Sequence, residues 1–205
     1  MGWIRAAVVA LVVMLTGGCF LSLVPAIAPD QAEDVGDELA YKVYFATPDT
    51  EQGIGFLFRR GQGRVYVGYS VDAWGNETLS DVDAGGSALI RRLGKRGEDP
   101  VYLIQMGSTA GPMTEPLVLG VVAIRADGVG VQRVFACDKP GFSDLAARFG
   151  LRVECAADAP HLVSIRALGE GGDLAAFLEA VAAAGLSGWE DDLGVSIYQE
   201  ILSGL

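Results

Sequence analysis

An α+β domain, mainly antiparallel sheet with an N-terminal meander and hairpins and with three or four short helices, mostly C-terminal, is what this 205-residue chain predicts. Three features carry that expectation. Apolar and polar residues alternate with period two through the first part of the chain, Asp127-Gly128 joins two apolar runs of strand length, and helix caps and stops gather later without regular βαβ alternation.

Taken in chain order, Tyr41, Val43 and Phe45 alternate with Lys42 and Tyr44. Val65, Val67, Tyr69 and Val71 then alternate with Arg64, Tyr66 and Ser70, so each set predicts a strand with one buried face, the second turning its valines inward. Residues 54–58 form another strand, and Arg60-Gly61-Gln62-Gly63 turns it into the next. Residues 101–106 and 117–124 are apolar runs of strand length, and the Asp-Gly pair folds the second onto 129–135 as a hairpin. A helix is expected over 87–93, stopped by Gly94, and a short one capped by Ser143 and ending at Gly150. Asp173 caps a helix with Leu174, Phe177, Leu178 and Val181 on one face and Gly185 as its stop. A last strand is expected over 161–168, and a fourth helix over 192–203, where Leu193, Ile197 and Ile201 align.

The charge distribution divides the chain. Arg5 is the single charge in the first 29 residues, residues 6–28 are 23 consecutive uncharged positions, and all 26 acidic residues follow from Asp30. An n-region with Arg5, an apolar stretch and small residues before Cys19 read as a secretory leader. Leu15-Thr16-Gly17-Gly18-Cys19 resembles the lipobox of bacterial lipoproteins, in which a signal peptidase cuts before a Cys whose sulfur carries a diacylglyceryl group. The resemblance implies a signal peptide over 1–18, Cys19 as the lipidated, palmitate-bearing first residue, and a domain held to a membrane of the cell envelope, facing the periplasm or the exterior. The alternative is a single-pass anchor with an uncleaved helix, because 23 uncharged residues exceed the roughly 20 needed to cross a bilayer. Both place the basic end in the cytosol. Residues 29–38 hold five acidic and no basic residues and read as the rest of a tether over 19–38, leaving 39–205 as one envelope domain.

Three cysteines are an odd number; with Cys19 lipidated, Cys137 and Cys155 are left as a disulfide pair in an oxidising compartment, or as two buried thiols. As a bridge they would enclose 17 residues and stabilise the fold by about 3 kcal/mol.

A net charge of -11 opposes phosphate backbones, so no nucleic-acid partner is expected. His161 is the one imidazole, and neither a Gly-x-Ser-x-Gly elbow nor a His-Glu-x-x-His helix occurs. Asp81-Val82-Asp83-Ala84-Gly85-Gly86 resembles the opening of a calcium loop, but Arg92 stands where the bidentate Glu belongs, so no metal and no cofactor are expected. Glu190-Asp191-Asp192 reads as N-terminal charge for the last helix. Trp74 beside Gly75-Asn76 reads as a packed aromatic or a sugar-stacking one. Arg59, Arg60, Arg64, Arg91, Arg92, Lys95 and Arg96 gather in one stretch and would form a cationic patch for an anionic ligand if hairpin and helix lay side by side; otherwise they are solvated charges paired with Asp49, Glu51, Glu98 and Asp99. Two classes follow. One is a membrane-tethered binding or assembly module, not an enzyme, with an envelope protein or anionic glycan as partner; the other is an envelope hydrolase using His161 and carboxylates.

Overall fold

The computed structural model describes residues 19–46, 51–71, 75–79, 87–107, 117–135, 137, 139–156, 159–167 and 173–189. Within them the chain runs β1 (Cys19–Ser22), β2 (Glu38–Ala46), β3 (Glu51–Arg60), β4 (Tyr66–Val71), β5 (Glu77–Leu79), β6 (Ser87–Arg96), β7 (Asp99–Met106), β8 (Leu117–Ile124), β9 (Gly130–Phe135), α1 (Phe142–Arg148), β10 (Leu151–Ala156), β11 (Ala159–Ala167), α2 (Leu174–Ala183) and β12 (Ser187–Trp189).

Antiparallel pairing links β2-β3-β4-β6-β7-β8, with β5 added to β4. The far edge of β8 is shared. Residues 117–120 pair with β1, which continues through parallel β11 to β10, while residues 122–124 pair with β9, which diverges toward β12. At the other end β2 reaches the β8–β9 turn through a bridge between Lys42 and Val129, the Lys42 N–H donating to the Gly128 carbonyl at 2.9 Å. The strands from β2 to β9 thereby curl into a nearly closed barrel.

Two hydrophobic cores follow from the alternation of side chains across these strands. Tyr41, Val43, Phe58, Tyr66, Ala88, Ile90, Ile104 and Val122 fill the concave face. Leu89, Leu103, Leu119 and Val121 point the other way, where Phe142, Ala146, Leu174, Phe177, Leu178 and Val181 of the two helices cover them, with Val24, Ala26 and Ile27 alongside. Asp173 caps α2 as its sequence signals, its carboxylate accepting from the Ala176 N–H at 2.9 Å, and Gly185 beyond the helix has φ 66°, a conformation only glycine adopts without strain. The Asp127-Gly128 hairpin is also present, with the Arg125 N–H donating to the Val129 carbonyl. Cys137 and Cys155 form a disulfide with their Cα atoms 5.8 Å apart, fastening the segment after β9 to β10 across α1.

Four expectations are corrected. The helix over 87–93 is strand β6: Ala88-Leu89-Ile90 is an unbroken apolar run because this strand is buried on both faces, which erases the alternation that would have marked it. Strand β4 has the opposite phase, with Tyr66 buried and Val65, Val67, Tyr69 and Val71 half-buried. A buried Tyr66 is tolerable because its hydroxyl accepts from the Val35 N–H and donates to the Gly36 carbonyl, each at 2.9 Å. Ser143 does not cap α1; its N-cap is Gly141, with no side-chain hydrogen bond. The tether is part of the domain. Ile27 and Ala32 are fully buried, and the Gln105 amide pins the chain by accepting from the Ala26 and Ile27 N–H groups at 2.7 and 3.0 Å and donating to the Ile27 carbonyl at 3.1 Å. Two helices stand among the described residues; the one expected over 192–203 lies outside them.

Candidate functional site

The seven basic residues do not form one patch. Arg59 reaches Glu38 at 2.9 Å and Glu77 at 2.5 Å, and its guanidinium lies 5.3 Å from the Tyr69 ring centre. Arg60 forks onto the Asp34 carboxylate, with Asp37 3.3 Å away, and Arg64 donates to the Ala32 carbonyl at 2.9 Å. The hydrogen bonds that Arg59 donates to Glu77 and then to Glu38 raise its pKa, and the bond to Asp34 raises that of Arg60. In return the Arg60 fork, and after it the Gly36 N–H, hold the Asp34 carboxyl below the usual carboxylate range. The acidic stretch and the first half of the basic cluster are therefore two sides of one clasp, with Asp34, Asp37, Glu38 and Glu77 as the acids. Of the partners expected from sequence, Glu98 is one, 3.5 Å from Lys95. Arg91 and Arg92 stand on β6 with no ion-pair partner among the described residues.

The rest of the cluster lies in a different place. The β6–β7 hairpin, β8, β9, α2 and β12 enclose a cleft of about 400 Å³. Its floor is apolar, from Leu93, Leu103, Val121 and Leu178, and its rim carries Lys95, Arg96, Arg133 and Glu179. Trp189 closes one side. The Arg96 guanidinium lies 5.1 Å from that indole centre and the Arg133 guanidinium 4.6 Å, both within cation–π range.

Arg133 is the unusual member. It is half-buried, burial lowers its pKa, and its guanidinium has no carboxylate partner among the described residues. A guanidinium stays charged at neutral pH even so, which leaves a partly desolvated cation whose partner among the described residues is the Trp189 ring face. An anion in the cleft would complete it. The sequence signal is a charge inside Val129 to Phe135, a run otherwise apolar or uncharged, and nothing near it pointed to Trp189, 56 positions later.

Cys19 opens β1 opposite Gly120. His161 lies within β11, and its side chain is outside the described residues, as are Trp74, the 81–86 loop and Glu190-Asp191-Asp192. Among the described residues no group of three or more His, Cys, Asp or Glu is placed to hold a metal, and no helix is long and apolar enough to cross a membrane. No protein-family model, curated protein or solved structure matches this chain.

Proposed function

We propose that this protein is a lipid-tethered binding module of the bacterial envelope whose site is the Arg133–Trp189 cleft and whose ligand is an anion. The observation that carries the binding reading is the half-buried Arg133 guanidinium, held on Trp189 with no carboxylate partner among the described residues. A cation desolvated to that extent and left unpaired costs stability, and an incoming anion removes the cost and gains charge-assisted hydrogen bonds.

The tether rests on the lipobox-like residues 15–19, and the use of the next ten supports cleavage over a spanning anchor. Cys19–Ser22 is a strand between β8 and β11, and Val24, Ala26 and Ile27 are core. Of the 23-residue apolar run this leaves residues 6–18, thirteen positions, short of the roughly 20 a bilayer needs and within the length of a signal-peptide core. The Cys137–Cys155 bridge suits an oxidising compartment.

Two measurements test the proposal. In a bacterial host fed an alkyne-bearing fatty acid, the wild-type chain takes up label and its N-terminal peptide begins at acylated Cys19, while Cys19→Ala loses both; an intact Met1 in the membrane fraction refutes the lipid tether. In thermal-shift titrations with inorganic phosphate the wild type is stabilised and Arg133→Gln is not. An equal response of the two would remove the cleft as the site.

A further inference from the structure

Resting on the cleft as the anion site, we infer that its ligand is an anionic amphiphile, a phosphate or carboxylate head on a hydrocarbon chain, taken from the bilayer to which the domain is moored. The cleft has two chemically distinct parts. Arg133, Arg96 and Lys95 stand at the rim, whereas the apolar surface open to the cleft is that of the half-buried Leu93, Ala175, Ala182 and Trp189, laid over the buried core residues Val101, Leu103 and Val121. A small hydrophilic anion would satisfy the rim and leave those half-buried apolar walls in contact with water. An amphiphile satisfies both, because the chain displaces water from apolar walls while the head meets the guanidinium on its aromatic support. Each methylene buried from water is worth about fourfold in affinity.

Position supports the same ligand. Cys19 stands opposite Gly120 on β8, and the next residue, Val121, lines the cleft. One strand spacing of about 4.8 Å and one residue of about 3.4 Å separate the backbone at Cys19 from a cleft wall. No tether intervenes, since the segment after Cys19 is strand and core. Attachment at Cys19 therefore brings the cleft within reach of the membrane interface, on a protein whose net charge of -11 would otherwise hold it off an anionic surface. The cationic rim is a local exception placed at the anchor.

The test uses the full chain in a non-ionic maltoside detergent, with native mass spectrometry reading the one-to-one adduct. Dodecyl phosphate and dodecanoate are titrated beside inorganic phosphate and dodecyltrimethylammonium. We expect an anionic amphiphile to half-saturate at a concentration at least tenfold below inorganic phosphate, and whichever of the two binds tighter names the head group. Arg133→Gln should weaken it at least tenfold. Ala182→Phe, which fills the cleft from α2, should weaken the amphiphiles and spare inorganic phosphate, and it serves as the independent variant if Arg133→Gln does not fold. Equal binding of inorganic phosphate and the anionic amphiphiles would overturn this inference and leave the anion module standing. Binding of the cationic amphiphile as tightly as the anionic ones, or of none of the four probes, would overturn both.

Discussion

The two faces of the sheet are finished in different ways. On the concave face the strands' own side chains close the space: Tyr41 stacks on Phe56 and Phe58 at 5.2 and 6.3 Å, Tyr66 is tied to residues 35 and 36, and one bridge joins β2 to the β8–β9 turn. On the convex face the same strands are roofed by elements from elsewhere in the chain, the segment after β1 and the two helices, with the disulfide across α1. The contrast teaches where a site can open. An interior filled by its own barrel has no natural gap, whereas a roof of separate pieces ends somewhere, and here it ends between α2 and β12, at Arg133 and Trp189.

The largest expected effect lies in the roof. Phe177 is fully buried, edge-on to Phe142 at 5.5 Å and tilted to Phe149 at 6.2 Å, so Phe177→Ala should lower the unfolding free energy by about 3–5 kcal/mol in a urea titration. Strands β6, β7 and β8 carry both cores, so loss of the near-ultraviolet tyrosine signal and loss of sheet should coincide; two separate transitions would divide the faces into independent units. Next comes the disulfide, whose reduction should cost about 3 kcal/mol by the same titration with and without reductant. If reduction costs nothing, α1 is held by packing alone. The barrel side is tested by Gly130→Ala, because a Cβ there would overlap the Tyr41 ring; the crowding should cost about 1–3 kcal/mol without weakening anion binding in the cleft.

The smallest effect concerns the clasp. The Asp34 carboxyl is depressed in the folded chain by its bonds from Arg60 and the Gly36 N–H, so its contribution is fully present above the ordinary carboxylate value, about 3.9, and is lost as pH falls through its lowered value. Asp34→Asn should therefore flatten the acid limb of the stability profile below about pH 4 and leave the alkaline limb unchanged. Both partners are at the surface, so the difference should be small and should shrink further in high salt. A difference that survives molar salt would mean that the clasp acts by more than charge.

What could be read from residue order was what depends on neighbours a few positions away. The β8–β9 hairpin needs one Asp-Gly between apolar runs, and the α2 cap needs Asp173 three residues before Ala176. The pairing of Cys137 with Cys155 came from a count of three cysteines with Cys19 set aside by the lipobox resemblance, and the geometry bears the pair out. The failures share one property. Strand β6 looks helical because its two buried faces belong to strands and helices far along the chain. Residues 19–38 look like a tether because Arg60, which pairs Asp34, lies 26 positions away, and Gln105, which holds Ala26, lies 79 away. The cleft joins Arg96, Arg133 and Trp189 from three separate segments, and none of them carries a local mark of the others. Backbone periodicity and capping are short-range energies written in adjacent residues. Whether a charge is neutralised, a loop buried or a guanidinium left against an indole depends on which distant strands become neighbours, and that is set when the sheet closes.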